Sequence, residues 1–212
     1  MRIGIITFHR AINYGAVLQT YALQKFLNVS NYDAEVIDYR CEHMENFYKT
    51  FTIKDKSVKQ IIRGMLNFKN TYKKKREFYR FLDQNVRIST EVYDKFNIDK
   101  ANLRYDKFIT GSDQVWGALT PNPVFFLQFG AKEIKRISFA ASFGDGNDFF
   151  KDRYISKVTP YLNKFDMVTV REYKALDVCK KAGINGCILF PDPTLLIDMS
   201  NYNRLLFSNL ST

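Results

Sequence analysis

The sequence predicts an α/β protein built on a Rossmann-like parallel sheet flanked by helices. Three observations carry this expectation. Short apolar runs rich in β-branched residues recur along the chain, which suits parallel strands buried on both faces. Segments with helical spacing lie between them, and alternating strand and helix is the pattern of a parallel α/β sheet. The first run, Arg2–Phe8, leads through His9, Arg10, Asn13, Tyr14 and Gly15 directly into a helical pattern, the arrangement in which such domains bind ligands.

Taken in order, the strands are Arg2–Phe8, Glu35–Tyr39, Lys107–Thr110, Ile137–Ala140, Met167–Val170 and Cys187–Phe190. The first helix turns Val17, Leu18, Tyr21, Ala22, Leu23 and Leu27 toward a core. Two more helices are expected over Tyr154–Phe165 and Glu172–Ala182, the latter stopped by Gly183. Residues from Cys41 to about Thr90 show no strand pattern. Val58, Ile61, Ile62, Met65 and Leu66 recur at helical spacing there, followed by Lys73-Lys74-Lys75-Arg76 and the aromatics Phe78, Tyr79 and Phe81. This reads as an inserted helical hairpin with a basic outer face and its aromatics in the core. The domain is expected to span 1–194, with 195–212 beginning a linker to a further, C-terminal domain.

Composition narrows the function classes. The 212 residues are 46% hydrophobic and 16% aromatic, which marks a folded chain rather than a disordered one. Three cysteines without CxxC spacing and two histidines argue against a zinc site or a disulfide framework, so the thiols are expected reduced and the compartment cytoplasmic. No apolar run reaches the roughly 20 residues of a membrane span. The net charge is +10, and between Glu42 and Thr90 there are 12 Lys or Arg against five Asp or Glu. Such a segment is either a solvated helical face or a seat for an anion, including peripheral contact with an anionic membrane.

Four loops that each follow a strand carry polar signatures. In the first, Asn13 is placed as the N-cap, the helix end favours anions, and Gly15 lets a ligand approach the backbone. In the second, Thr110-Gly111-Ser112-Asp113-Gln114-Val115-Trp116, Asp113 either takes a proton from a hydroxyl or caps the next helix, and Trp116 packs or stacks on a sugar, with packing favoured. The third holds Ser142, Phe143 and Gly144, which also fit a plain glycine turn. In the fourth, Arg171 is suited to grip a carboxylate or phosphate, unless Glu172 or Asp192 holds it in a salt bridge. Phe190-Pro191-Asp192-Pro193-Thr194 reads as a stiff domain exit.

These blocks, "GIITFHRAINYGAVLQTYALQ", "EVIDYR", "FITGSDQVW", "ISFAASFG", "VTVREY" and "PDPTLLID", resemble the polysaccharide pyruvyl transferase family in content and order, from residue 2 to about residue 198. The resemblance implies one half of a two-domain architecture like the B-type glycosyltransferases, with the active site in the cleft between domains. It implies transfer of a pyruvyl group from phosphoenolpyruvate to a sugar hydroxyl pair, forming a ketal in cell-surface polysaccharide biosynthesis, with no metal and no cofactor beyond the donor substrate. By the same resemblance Arg171 is the donor-binding arginine, with Ser142, Phe143 and Gly144 beside the donor. His9, Asn13, Tyr14, Gly15, Gly111, Ser112 and Asp113 are the other expected site residues, on the donor or the acceptor side, with Asp113 and Arg171 as the catalytic pair.

Two departures from the family pattern stand out. The second domain, with an Arg and a His on the donor, has no counterpart in these residues, whose histidines are His9 and His43. The chain alone is therefore expected to be inactive, and a second domain or another copy docking on the apolar tail is expected to complete it. Gly117 stands where an Asn is expected. Competing readings are a non-catalytic binding module of the same fold, a nucleotide-sugar glycosyltransferase and, from the basic run alone, a nucleic-acid binder. No recognised nucleic-acid module surrounds that run, so no specific nucleic acid is expected as a partner.

Overall fold

The computed structural model describes residues 1–47, 58–117, 121–144, 146 and 151–207. Strand β1 (Arg2–Ile6) feeds helix α1 (Tyr14–Val29), then come β2 (Asp33–Tyr39), α2 (Glu42–Phe47), α3 (Val58–Asn85) and β3 (Ile88–Tyr93). The chain continues through β4 (Lys107–Thr110), β5 (Lys135–Ser138), α4 (Asp152–Leu162), β6 (Thr169–Val170), α5 (Tyr173–Lys181), β7 (Ile188–Leu189) and α6 (Met199–Phe207). The fold is Rossmann-like α/β, as the alternation of strand and helix predicts.

Five parallel strands order as β3-β2-β1-β4-β5, and β6 pairs in parallel with β7. Parallel bridges Ile137↔Met167 and Ala141↔Val170 join the two pieces into one array. Strand order reverses between β1 and β4, and the crevice beyond that point is where open α/β sheets take ligands. Residues within each strand alternate between two cores, as a pleated strand requires. Ile3, Ile5, Val36 and Ile109 face α1 and α3, while Ile6, Ile37 and Phe108 face the opposite layer with Trp116, Phe126 and α4.

Strand β3 is the element that the sequence pattern hides, because Ile88–Tyr93 sits at the sheet edge and buries a serine in place of an apolar residue. Ser89 Oγ accepts from the Asp38 amide at 2.9 Å and donates to the Glu91 carbonyl at 2.8 Å. The stretch read as wholly helical to about Thr90 therefore ends in a strand. Strand β5 stops at Ser138, before the expected end at Ala140, whose φ of 51° is left-handed. The turn of the expected hairpin, between Phe47 and Val58, lies outside the described residues.

Phe78 is buried against α1, with Tyr79 and Phe81 packed beside it, so these aromatics do belong to the core. Past the last strand the chain folds back: Tyr202 Oη donates to the Thr194 carbonyl at 2.6 Å, and Ile197 and Leu205 pack beside the α1 core. Among the described residues no helix is long and apolar enough to cross a membrane.

Candidate active site

The loop after β1 splits into two jobs. Its first half turns sideways to β2. Arg10 donates from Nε and Nη2 to the two Asp38 oxygens at 2.6 and 2.7 Å, and Arg40 does the same at 2.9 and 3.0 Å. His9 Nε2 lies 3.2 Å from Asp38 Oδ1, and the His9 ring is buried. Burial acts to raise the Asp38 pKa, but hydrogen bonds from His9, Arg10 and Arg40 outweigh it and hold the carboxyl far below the usual range. His9 thus sits in a charge cluster that welds β1 to β2, apart from the cleft described next.

The second half of the loop opens that cleft. Asn13 caps α1, its Oδ1 accepting from the Ala16 amide at 3.2 Å. Asn13, Gly15 and Ala16 then line a cleft of about 850 Å³ together with Ser112, Asp113 and Arg171. The N-terminus of α1, with its outward amides and positive end, is one wall. Tyr14 points the other way, 71% exposed, with its ring 4.9 Å from that of Phe78.

Arg171, in the loop between β6 and α5, lines the same cleft. Its Nη1 donates to Asp192 Oδ2 at 2.9 Å and to the Ser112 carbonyl at 3.3 Å, while Glu172 lies 3.8 Å from its Nε. Of the two carboxylates that could hold this arginine, Asp192 does so, and the salt bridge weighed against anion binding is therefore present. Asp192 also accepts from Ser112 Oγ at 2.8 Å and from the Thr194 amide at 3.0 Å. Burial pushes its pKa up, yet hydrogen bonds from Thr194, Arg171 and Ser112 prevail, so it stays ionised. Asp113 differs. Burial is the main influence, the nearby Asp192 charge adds to it, and its pKa is raised against the pull of the Gln114 amide and Arg171. The two carboxylates beside this guanidinium are therefore shifted in opposite directions.

Ser142, Phe143 and Gly144 form the layer behind this wall. Glu172 Oε1 accepts from Ser142 Oγ at 2.7 Å and from the Phe143 amide at 3.1 Å, and the Ser142 amide donates to the Asp113 carbonyl at 3.0 Å. Gly144 has φ +77° and lies against Gln114. Gly111 also packs, a Cβ there falling 3.0 Å from that of Thr7. Trp116 is fully buried, stacked on Phe126 with ring centroids 5.2 Å apart, and donates from Nε1 to the Phe125 carbonyl at 3.0 Å. It packs, as favoured, and is not among the residues that line the cleft.

Gly117 has a steric reason. A Cβ at this position would come 2.9 Å from the Phe143 carbonyl oxygen, a backbone atom that cannot swing aside. Gly117→Ala is expected to lower stability by about 1–3 kcal/mol, read by urea denaturation, because the two loops must part to admit the methyl group.

The cleft therefore gathers Asn13, Gly15, Ser112, Asp113 and Arg171, and leaves His9, Tyr14, Gly111 and the 142–144 loop outside its lining. It adds Asp192, Thr194, Gln19 and Tyr202, which sequence reasoning did not place in a site. The Pro191-Asp192-Pro193 stretch was the available signal, since a carboxylate fixed between prolines is preorganised to hold a partner. No curated protein and no solved structure matches the chain. The family model described as polysaccharide pyruvyl transferase matches residues 13–209, from the N-cap of α1 through both walls of the cleft, and the chain belongs to that family.

Proposed function

We propose that this chain supplies the donor half of a site that transfers a pyruvyl group from phosphoenolpyruvate to a pair of sugar hydroxyls. The observation that carries the reading is that Arg171, the N-terminus of α1 and Asp113 line one cleft. Phosphoenolpyruvate bears a carboxylate and a phosphate, and a guanidinium and a helix N-terminus are the groups that bind such anions. In this reading Arg171, held by Asp192, grips the donor. A proton taken up at C3 from solvent makes C2 electrophilic, and one sugar hydroxyl adds there while Asp113 takes its proton. The bond from C2 to the phosphate oxygen breaks, the second hydroxyl adds to C2 and gives its proton to the departing phosphate, and the cyclic ketal results. A second Rossmann-like unit or a second copy closes over the acceptor.

Asp113 suits the base role because its raised pKa makes it a stronger base than an ordinary carboxylate. It works only when ionised, so turnover is expected to fall as pH drops through a value above the usual ~3.9 of Asp. A pH–rate profile of phosphate release whose acid limb lies at or below that value would remove Asp113 from the role. The reading as a whole is tested by calorimetric titration of the chain with phosphoenolpyruvate. Saturable binding is expected, and no heat at millimolar donor would take the donor site out of this chain.

A further inference from the structure

A second groove runs beside the cleft, between α1 and α3, with a volume of about 670 Å³. Its floor is apolar, made by Val17 and Phe78, which are buried, and by Leu18 and Phe81, which are half-buried. Its rim is cationic. Lys73, Lys74 and Arg80 are exposed along it, and the one carboxylate among its lining residues, Glu77, already lies 3.4 Å from Arg76 and 3.9 Å from Arg80. Lys74 Nζ stands 5.8 Å over the Phe78 ring, so this cation spans the edge between rim and floor. Exposed Tyr14 lines this groove, and Leu18 lines both cavities.

We infer that this groove binds a membrane lipid with a phosphate headgroup, the hydrocarbon on the Leu18–Phe81 floor and the phosphate at Lys73, Lys74 and Arg80. Charge complementarity selects this occupant. A polynucleotide would satisfy the rim and leave the floor in water. A second copy of the chain would bring like-charged rims together. An anionic amphiphile satisfies both, with lysines that keep their ammonium groups in the headgroup layer while their stems cover apolar surface. Lipid binding at the groove stands apart from pyruvyl transfer.

The test is vesicle co-sedimentation of the full chain, scored without phosphoenolpyruvate and without turnover, so that it does not share the fate of the transfer reaction. Binding is expected to phosphatidylcholine vesicles containing phosphatidylglycerol and not to phosphatidylcholine alone. Lys73→Glu with Lys74→Glu should weaken it about tenfold or more. Lys180→Glu with Lys181→Glu, the same change of charge on exposed α5 positions, should leave it intact. Phe81→Ser should abolish the binding that survives high salt, where charge is screened, and melting temperatures establish that each variant is folded. Equal loss in the α5 control, equal binding of neutral vesicles, full competition by free glycerol phosphate or full competition by a single-stranded oligonucleotide would each overturn the inference. The last result would mark a nucleic-acid surface instead.

Discussion

In an assembly that includes the second domain or copy completing the site, Arg171→Ala is expected to lower turnover by orders of magnitude, and in the chain itself to weaken phosphoenolpyruvate binding by about 10–100-fold while the protein stays folded. The binding figure follows from losing charge-assisted hydrogen bonds worth about 1.5–3 kcal/mol. Turnover suffers more because the same guanidinium meets the charge that grows on the departing phosphate. The fold is spared because the Arg171 side chain is one-third exposed and its partner Asp192 keeps Ser112 and Thr194. Arg171→Lys should recover part of the binding and little of the turnover, since an ammonium cannot reproduce the planar fork. Calorimetry on the three proteins reads donor binding, phosphate release by the completed assembly reads turnover, and a urea curve for each reads the fold. Unchanged donor affinity in Arg171→Ala would move the donor site elsewhere.

The second large effect is structural. Asp38→Asn is expected to destabilise the chain by about 3 kcal/mol or more, because it removes the charge that neutralises Arg10 and Arg40 around a buried position. The Asp38 side chain is 5% exposed, whereas Arg10 and Arg40 are 26% and 35% exposed, and their access to water keeps the loss near the lower end. The sign with pH follows from the depressed carboxyl pKa. In the wild type this stabilisation is complete above the unfolded-state value of about 3.9 and is lost as pH falls below it toward the folded-state value. Asp38→Asn should lack that component, so its acid denaturation curve should be shallower. Parallel curves would show that Asp38 is not a main source of acid lability.

Much of this was readable in the residues, for a physical reason. Buried parallel strands need continuous apolar runs, and those of β1, β4 and β6 stand out. The α1 cap is equally visible, since Asn13 before an apolar-periodic segment has one local job. Strand β3 escaped because an edge strand need not be apolar, and Ser89 satisfies its hydroxyl through the backbone. His9 escaped differently. Its partner Asp38 lies 29 positions away, and local pattern gives no sign of which way a loop side chain turns. The same limit applies to Asp192, which meets Ser112 across 80 positions. Three of the four loops reach the cleft and the 142–144 loop does not, because which of their atoms face it is decided by contacts distant in sequence.

The placement of β1 at the middle of the sheet bears on how the chain folds. Its pairing with β2 closes a loop of moderate size, since Arg2 sits opposite Asp33, but its pairing with β4 sets Ile3 opposite Lys107 and encloses β2, α3 and β3. Contacts so far apart are late and slow to form, so the β1–α1–β2 unit is the natural nucleus and the β4 side docks onto it. The entropy of closing such a loop grows only with the logarithm of its length, about 0.6 kcal/mol per doubling. The exposed face of the segment between β2 and β3 can therefore change its charge at small thermodynamic cost. Variation on that face is in this sense uncoupled from the assembly of the cleft, whereas Phe78 and Leu82, buried in the core shared with α1, tie the inner face of the basic helix to it.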